Sequence, residues 1–258
     1  MVKKYLSCLK SPSSVGKPRT ERKKEFKMKV QKPILILQHS EGSPPGTSID
    51  WLKSRGLSYE LFFWGKDQKV PRLEFYDGLI ILGGAQNVDE EDRFPWLKTE
   101  KRLIRDAIAA KQRTFAICLG AQLVAEVCGA QVKRNDQWEV GWVDVQISDS
   151  ESDPSSEKII KVLQFHAYGF EIPSEATHNM KGKDFPEQGF RIGDFLVATQ
   201  FHPEATADWA KYLATDKSEP YPQGPWVQSP QDLIKGADNV PQLQAWFFQQ
   251  LDRLFLDR

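Results

Sequence analysis

The chain predicts an α/β protein, and three observations carry that reading. Short apolar runs rich in Ile, Leu, Val and Phe recur at residues 33–38, 59–63, 79–82, 114–117 and 195–201, as buried strands require. Helical stretches stand among them at 48–55, 96–110 and 120–127, with apolar residues three and four apart in the latter two. At 258 residues the chain is long enough to bury one large core around such a sheet.

The elements follow in order. Residues 33–38 open the domain as a strand, and the Gly-, Ser- and Pro-rich loop 40–47 leads to the helix 48–55. Residues 59–63 form a second strand. A third, 79–82, runs into Gly83-Gly84. The helix 96–110 carries Leu97, Leu103, Ile104 and Ile108 as its apolar stripe. Residues 114–117 are β-branched, aromatic or apolar, which suits a buried parallel strand, and the helix 120–127 follows. Residues 142–147 alternate and belong to a β-rich excursion; 148–157 read as a charged, Ser-rich turn. Residues 195–201 form a strand that runs into His202. Residues 215–240 hold Pro220, Pro222, Pro225 and Pro230 and read as a long irregular excursion. Residues 243–256 close the chain as an amphipathic helix, and no internal repeat is visible.

The N-terminus has a different composition. Residues 1–32 carry eleven Lys or Arg against Glu21 and Glu25, with Ser, Gly and Pro interspersed. Such a segment has too little apolar surface to join a core, and it lacks the apolar centre of a secretory signal. Residues 1–27 are therefore expected to be a basic, disordered extension, and 28–258 the domain proper. Formal net charge is zero, so neither nucleic acid nor an anionic membrane is expected as a general partner. No apolar run approaches the length of a membrane span. Three cysteines do not make a disulfide framework, which fits a reducing, cytoplasmic setting. The four His and three Cys have no metal-ligand spacing, and no cofactor is expected.

Two segments carry chemistry. In Phe115-Ala116-Ile117-Cys118-Leu119-Gly120-Ala121-Gln122 a thiol sits on the turn between a buried strand and a helix. The unpaired N–H groups and dipole of a helix N-terminus favour a thiolate there. Gly120 lets the chain pass close behind the nucleophile, as in a thiol version of the G-x-S-x-G elbow. Gln122 lies about one helical turn on and can face the same pocket. In Gln200-Phe201-His202-Pro203-Glu204 an imidazole and a carboxylate stand two apart. If the strand continues through them, both face Cys118 and Pro203 turns away. Nucleophile, base and orienting acid are the parts of a covalent acyl-transfer site. Taken alone, Cys118 would be a buried small hydrophobe and His202 with Glu204 a satisfied polar pair. The two segments together favour the catalytic reading.

These segments resemble the two signature motifs of class I, triad-type glutamine amidotransferases, and the chain looks most like their stand-alone, GMP synthase-like glutaminase domains. Three further stretches support the resemblance. Residues 77–85 resemble the oxyanion strand with its Gly-Gly turn, Glu139-Val140-Gly141-Trp142 the E-[IV]-G-W strand, and Gln188-Gly189-Phe190-Arg191-Ile192-Gly193 the Q-x-F-R-x-G hairpin. The similarity runs in order from Ile34 to Trp209. It implies a doubly wound, mostly parallel α/β sheet with helices on both faces and a small β-rich excursion, its site at the strands' carboxyl ends. It further implies Cys118 as nucleophile, His202 as base and Glu204 as orienting acid. The backbone N–H groups of Gly84 and Leu119 would form the oxyanion hole, and Gln122, His166 and Tyr168 would border the substrate. Two departures stand out. Thr114 and Ala116 replace the usual Pro and Gly before the elbow, and Ala167-Tyr168 replace a Gly-Asp pair after His166.

The expected activity is hydrolysis of the glutamine side-chain amide through a γ-glutamyl thioester. The chain has no Walker-type loop, so ammonia used productively would pass to a separate synthetase or acceptor subunit. The altered segment at Tyr168 keeps open a γ-glutamyl peptidase or hydrolase with the same triad. A non-catalytic regulatory module on this fold is the third reading. His39 follows a strand and could line the pocket mouth, with no partner evident. Cys128, at a helix end, reads as packing.

Overall fold

The structure is a computed structural model that describes residues 31–66, 69–148 and 157–257. Residues Gln31–Arg258 group into one compact unit. The basic extension 1–27, Cys8 within it, and most of the Ser-rich turn lie outside the described residues.

The described residues hold nine strands and six α-helices: β1 (Ile34–Gln38), α1 (Thr47–Ser54), β2 (Tyr59–Phe63), β3 (Gly78–Ile81), α2 (Trp96–Ala109), β4 (Arg113–Ile117), α3 (Leu119–Val127), β5 (Val132–Ser148), β6 (Glu157–Phe170), β7 (Thr177–Lys181), β8 (Glu187–Ile192), β9 (Leu196–Thr199), α4 (Ala207–Thr215), α5 (Pro230–Lys235) and α6 (Val240–Phe255). All strands share one sheet in the order β2-β1-β3-β4-β9-β8-β7-β5-β6. The first five are mutually parallel, and β9 through β6 pair antiparallel.

Strand alternation sends the side chains of β1, β3, β4 and β9 to two separate cores. Ile34, Ile36, Ile80, Leu82, Phe115, Ile117 and Val197 pack on one face with Trp51 and Leu52 of α1 and with Phe247, Leu251 and Leu254 of α6. Leu35, Leu37, Leu79, Ile81, Ala116, Leu196 and Ala198 pack on the other with Leu97 and Ile104 of α2 and Leu123 and Val124 of α3. The expected α/β sheet with helices on both faces is therefore present, and the β-rich excursion continues the same sheet.

Three local differences have physical causes. Residues 215–240 are not wholly irregular, because Pro230 opens α5 at a position whose N–H needs no partner, and the Ser229 side chain caps the Asp232 N–H. The strand expected at 142–147 begins ten residues earlier, at Val132. Its charged first half does not alternate, and its pairing with β6 slips between Arg134 and Glu139. Strand β9 stops at Thr199, so His202 and Glu204 sit in a turn rather than in extended chain. Pro203 favours that break, and the Ala205 N–H reaches back to the His202 carbonyl at 3.4 Å.

Candidate active site

The parallel registers make four strand ends coincide. Leu37 pairs with Ile81, Ile81 with Ala116, and Ile117 with Thr199. The residues just beyond therefore converge at the carboxyl edge of the sheet: His39 after β1, Gly83 and Gly84 after β3, Cys118 after β4, Gln200 and His202 after β9.

Cys118 caps α3 with φ 49 and ψ −108, a left-handed backbone at a residue that carries a β-carbon. Such strain persists only where the surroundings impose it, and here it lifts the thiol clear of both elements. The Cys118 N–H donates to the Thr199 carbonyl at 2.8 Å, which ties the elbow to β9. A β-carbon on Gly120 would lie 2.5 Å from the Ile81 carbonyl oxygen, so only glycine lets α3 pass this close behind the elbow. Leu119 opens α3, and its N–H has no acceptor within the helix. A β-carbon on Gly83 would meet the His202 ring at 2.9 Å. The Gly-Gly turn thus lies against both the imidazole and the thiol.

His202 and Glu204 are buried, and the His202 Nδ1 pairs with a Glu204 carboxylate oxygen at 2.8 Å. Glu204 faces the imidazole, not the thiol, because the chain turns between them. Burial alone pushes the His202 imidazolium down. The Glu204 charge and the hydrogen-bonded Cys118 sulfur outweigh it and push the ring up to about 10. The Trp209 ring, on α4, covers the imidazole at 4.8 Å, and the Thr47 N–H holds the Glu204 main-chain carbonyl at 2.9 Å.

A cavity of about 600 Å³ opens over Cys118. Gly84, Gln122, His166, Tyr168 and His202 all line it, so the structure brings these expected site residues together. Trp138, Phe165 and Tyr212 add aromatic walls. Gln122 is buried. Its amide donates to the Tyr168 carbonyl at 3.1 Å and to the Gln200 side chain at 3.2 Å. His166 contacts the Tyr168 carbonyl through Nδ1 at 2.8 Å and Glu139 through Nε2 at 2.9 Å. The Gln188 amide completes that buried network by donating to Glu139 at 2.9 Å. The Tyr168 hydroxyl donates to Asp89 at 3.4 Å. Cys128 lies away from the cavity. Burial, reinforced by Glu175, pushes its thiol up to about 12. Among the described residues, no group of three or more His, Cys, Asp or Glu is placed to hold a metal ion. No described helix is long and apolar enough to cross a membrane.

Sequence reasoning missed two partners. Gln200 is buried and donates to the Cys118 sulfur at 3.6 Å; its signal was its place two residues before His202. Glu100 pairs with His39 at 2.9 Å in full burial. It falls three residues after Leu97 and four before Ile104, so a charge stood on the apolar stripe of α2.

The family model for class-I glutamine amidotransferase matches residues 47–214. A glutamine amidotransferase-like protein of Salmonella typhimurium, YfeJ, is 24% identical over 85% of this chain and 92% of its own length. A subunit of the glutamine-hydrolysing GMP synthase of Thermoplasma volcanium is 35% identical over 61% of this chain and 77% of its own length. Among solved structures, a glutamine amidotransferase of Thermotoga maritima superposes with a TM-score of 0.76 at 28% identity, covering 88% of this chain and 99% of that one. One from Methylobacillus flagellatus reaches a TM-score of 0.80 at 24% identity over 87% of this chain and 94% of its own, a likeness of fold. With the family model spanning more than half the chain, and the sheet, the elbow and the Gly-Gly turn in place, this protein belongs to the class I glutamine amidotransferase family.

Proposed function

We propose that this chain hydrolyses a γ-glutamyl amide through a covalent thioester on Cys118. The observation that carries the reading is His202, buried between the Glu204 carboxylate and the Cys118 sulfur where β4 and β9 end side by side. The Cys118 thiolate attacks the amide carbon of the substrate. The tetrahedral oxyanion rests on the Gly84 and Leu119 N–H groups. His202 gives its proton to the departing nitrogen, and ammonia leaves from glutamine. The same ring then takes a proton from water, the water attacks the thioester, and glutamate is released with the thiol restored. Glu204 holds the imidazole in place through Nδ1, which leaves Nε2 for the sulfur side. Gln122 and Tyr168 border the substrate, and His166 acts there through the Tyr168 carbonyl that it fixes.

Glutamine is the first substrate to test, since relatives include one component of a glutamine-hydrolysing GMP synthase. That name also supports a separate acceptor subunit for the ammonia. The second reading, a γ-glutamyl peptidase, is favoured by the roomy cavity and its aromatic walls. A panel of glutamine and γ-glutamyl dipeptides, with detection of ammonia and of the released amine, decides between them. Replacing Ala167 with Gly and Tyr168 with Asp together is expected to change the kcat/KM ratio of the two substrates by about tenfold, or 1.4 kcal/mol of differential transition-state binding. Absence of turnover on every member, with Cys118 inert to alkylation, would support the non-catalytic reading instead.

A pH profile tests the His202 assignment. The proton that His202 gives the leaving group is present in the free enzyme below its pKa and lost as pH rises through it, so kcat/KM, which reports the acylation half, should hold until about pH 10. Glu204→Gln removes the charge that raises the ring most, and the alkaline limb should then move to lower pH. A limb in the same place in both proteins would show that Glu204 does not set the protonation of His202.

A further inference from the structure

His39 is a buried titratable residue that the reaction above does not use. Its side chain and that of Glu100 have no exposed surface. Nε2 meets both Glu100 oxygens, at 2.9 Å and 3.1 Å, and Nδ1 meets the Gly83 carbonyl oxygen at 3.0 Å. A carbonyl only accepts, so Nδ1 carries a hydrogen and donates it. Glu100 thereby fixes which way the ring faces. The Trp96 ring stacks on the imidazole at 5.6 Å and 20°, and Trp64 stacks on Trp96 at 5.6 Å and 14°, so the ring cannot swing away from β3. The Gly-Gly turn also lies close to His39. A β-carbon on Gly84 would sit 2.8 Å from the His39 Cβ.

The bonded oxygen belongs to the peptide that links Gly83 to Gly84. No peptide bond among the described residues is cis. In a trans peptide the carbonyl and the N–H point in opposite directions within one plane. A donor that holds the Gly83 carbonyl on the α2 side therefore turns the Gly84 N–H to the opposite side. Gly84 and Cys118 line the same cavity there. Without that hold the peptide is free to rotate about its flanking torsions, since both neighbours are glycine.

We propose that His39, oriented by Glu100 and clamped by Trp96, is a positioning residue that sets the oxyanion hole: its Nδ1–H holds the Gly83–Gly84 peptide so that the Gly84 N–H aims at the developing oxyanion. The inference rests on the covalent reading of Cys118 above. Preorganised donors act on the transition state more than on bound substrate. The signature of losing this one is a fall in kcat with little change in KM.

Two amide substitutions separate this role from simple packing. In His39→Asn the side-chain nitrogen takes the place of Nδ1, keeping the bond to Gly83 and giving up Glu100. In His39→Gln the nitrogen takes the place of Nε2, keeping Glu100 and giving up Gly83. Both preserve a buried polar group. The experiment measures kcat and KM on the best substrate of the panel, melting temperature, and the rate of Cys118 alkylation by iodoacetamide, a displacement that forms no oxyanion. We expect kcat to fall about 10²-fold or more in His39→Gln, the cost of one lost oxyanion donor. His39→Asn should stay within about tenfold of the parent. In both, KM and the alkylation rate should stay near parental values. Equal kcat in the two variants, or a lower value in His39→Asn, would overturn the inference. So would a parallel loss of alkylation in His39→Gln, which would mark a general loosening of the site. If the parent shows no turnover on the panel, the covalent reading itself fails and takes this inference with it; a turning-over parent with equivalent variants sinks the positioning role alone.

Discussion

Cys118→Ala is expected to abolish turnover on every γ-glutamyl substrate, and His202→Ala to come close to it, each lowering kcat by about 10⁴-fold or more. Alanine at 118 leaves no atom to carry the acyl group. Alanine at 202 removes both the partner of the thiolate and the acid that protonates the leaving nitrogen. Neither change should unfold the chain, because the elbow is held through main-chain bonds: Cys118 to Thr199 at 2.8 Å, Gly120 to Leu82 at 3.2 Å and His202 to Leu163 at 2.9 Å. Glu204→Ala should be milder. Its carboxylate meets the ring at 2.8 Å and not the sulfur, so it acts through His202 alone. The three changes should not be additive, since all remove one covalent route. Steady-state rates with melting temperatures check the order. A folded Glu204→Ala as inactive as Cys118→Ala would give Glu204 a part in the chemistry beyond holding the imidazole.

Gly84→Ala carries the second large effect, a fall in kcat/KM of about 10²- to 10³-fold. The added β-carbon would stand 2.8 Å from each of three atoms: Gln86 Oε1, His39 Cβ and Leu119 Cδ2. All three belong to side chains, so the turn can shift without breaking the sheet. The shift moves the Gly84 N–H, and the contact with Leu119 moves the residue that carries the other proposed donor. Iodoacetamide should still alkylate Cys118 at nearly the parental rate, because that reaction forms no oxyanion. A variant with parental kcat/KM would place the oxyanion away from Gly84.

Much of this was legible in the sequence, for identifiable reasons. The inner parallel strands are mostly apolar because both their faces are covered, and Gly83-Gly84 and Cys118 each fall just past such a run. That placement follows from the residues alone. Long β5 and β6 were harder to read. Lys133, Arg134 and Asp136 lie where β5 slips register against β6, so neither periodicity nor composition marks a strand there. The turn at Pro203 defeated the extended-chain argument for His202 and Glu204, although two residues apart across a turn still brought them into contact. His39 and Glu100 are 61 residues apart. Only the fold, by laying α2 beside the end of β1, makes them a pair. The buried amides of Gln122, Gln188 and Gln200 were invisible as a network for the same reason, since each bonds to residues distant in the chain.

An acyl-enzyme on Cys118 can be trapped. The full chain is mixed with glutamine or a γ-glutamyl dipeptide, quenched in acid within the first turnovers, digested and analysed by mass spectrometry. A parallel sample is treated with an electrophilic glutamine analogue. A glutamyl adduct, and the analogue's label, are expected on the peptide that contains Cys118. Cys128 should carry neither, with its thiol held up to about 12 and away from the cavity. Label on Cys128 with Cys118 untouched, or turnover of substrate with no adduct on Cys118 under any quench, would contradict the covalent role of Cys118.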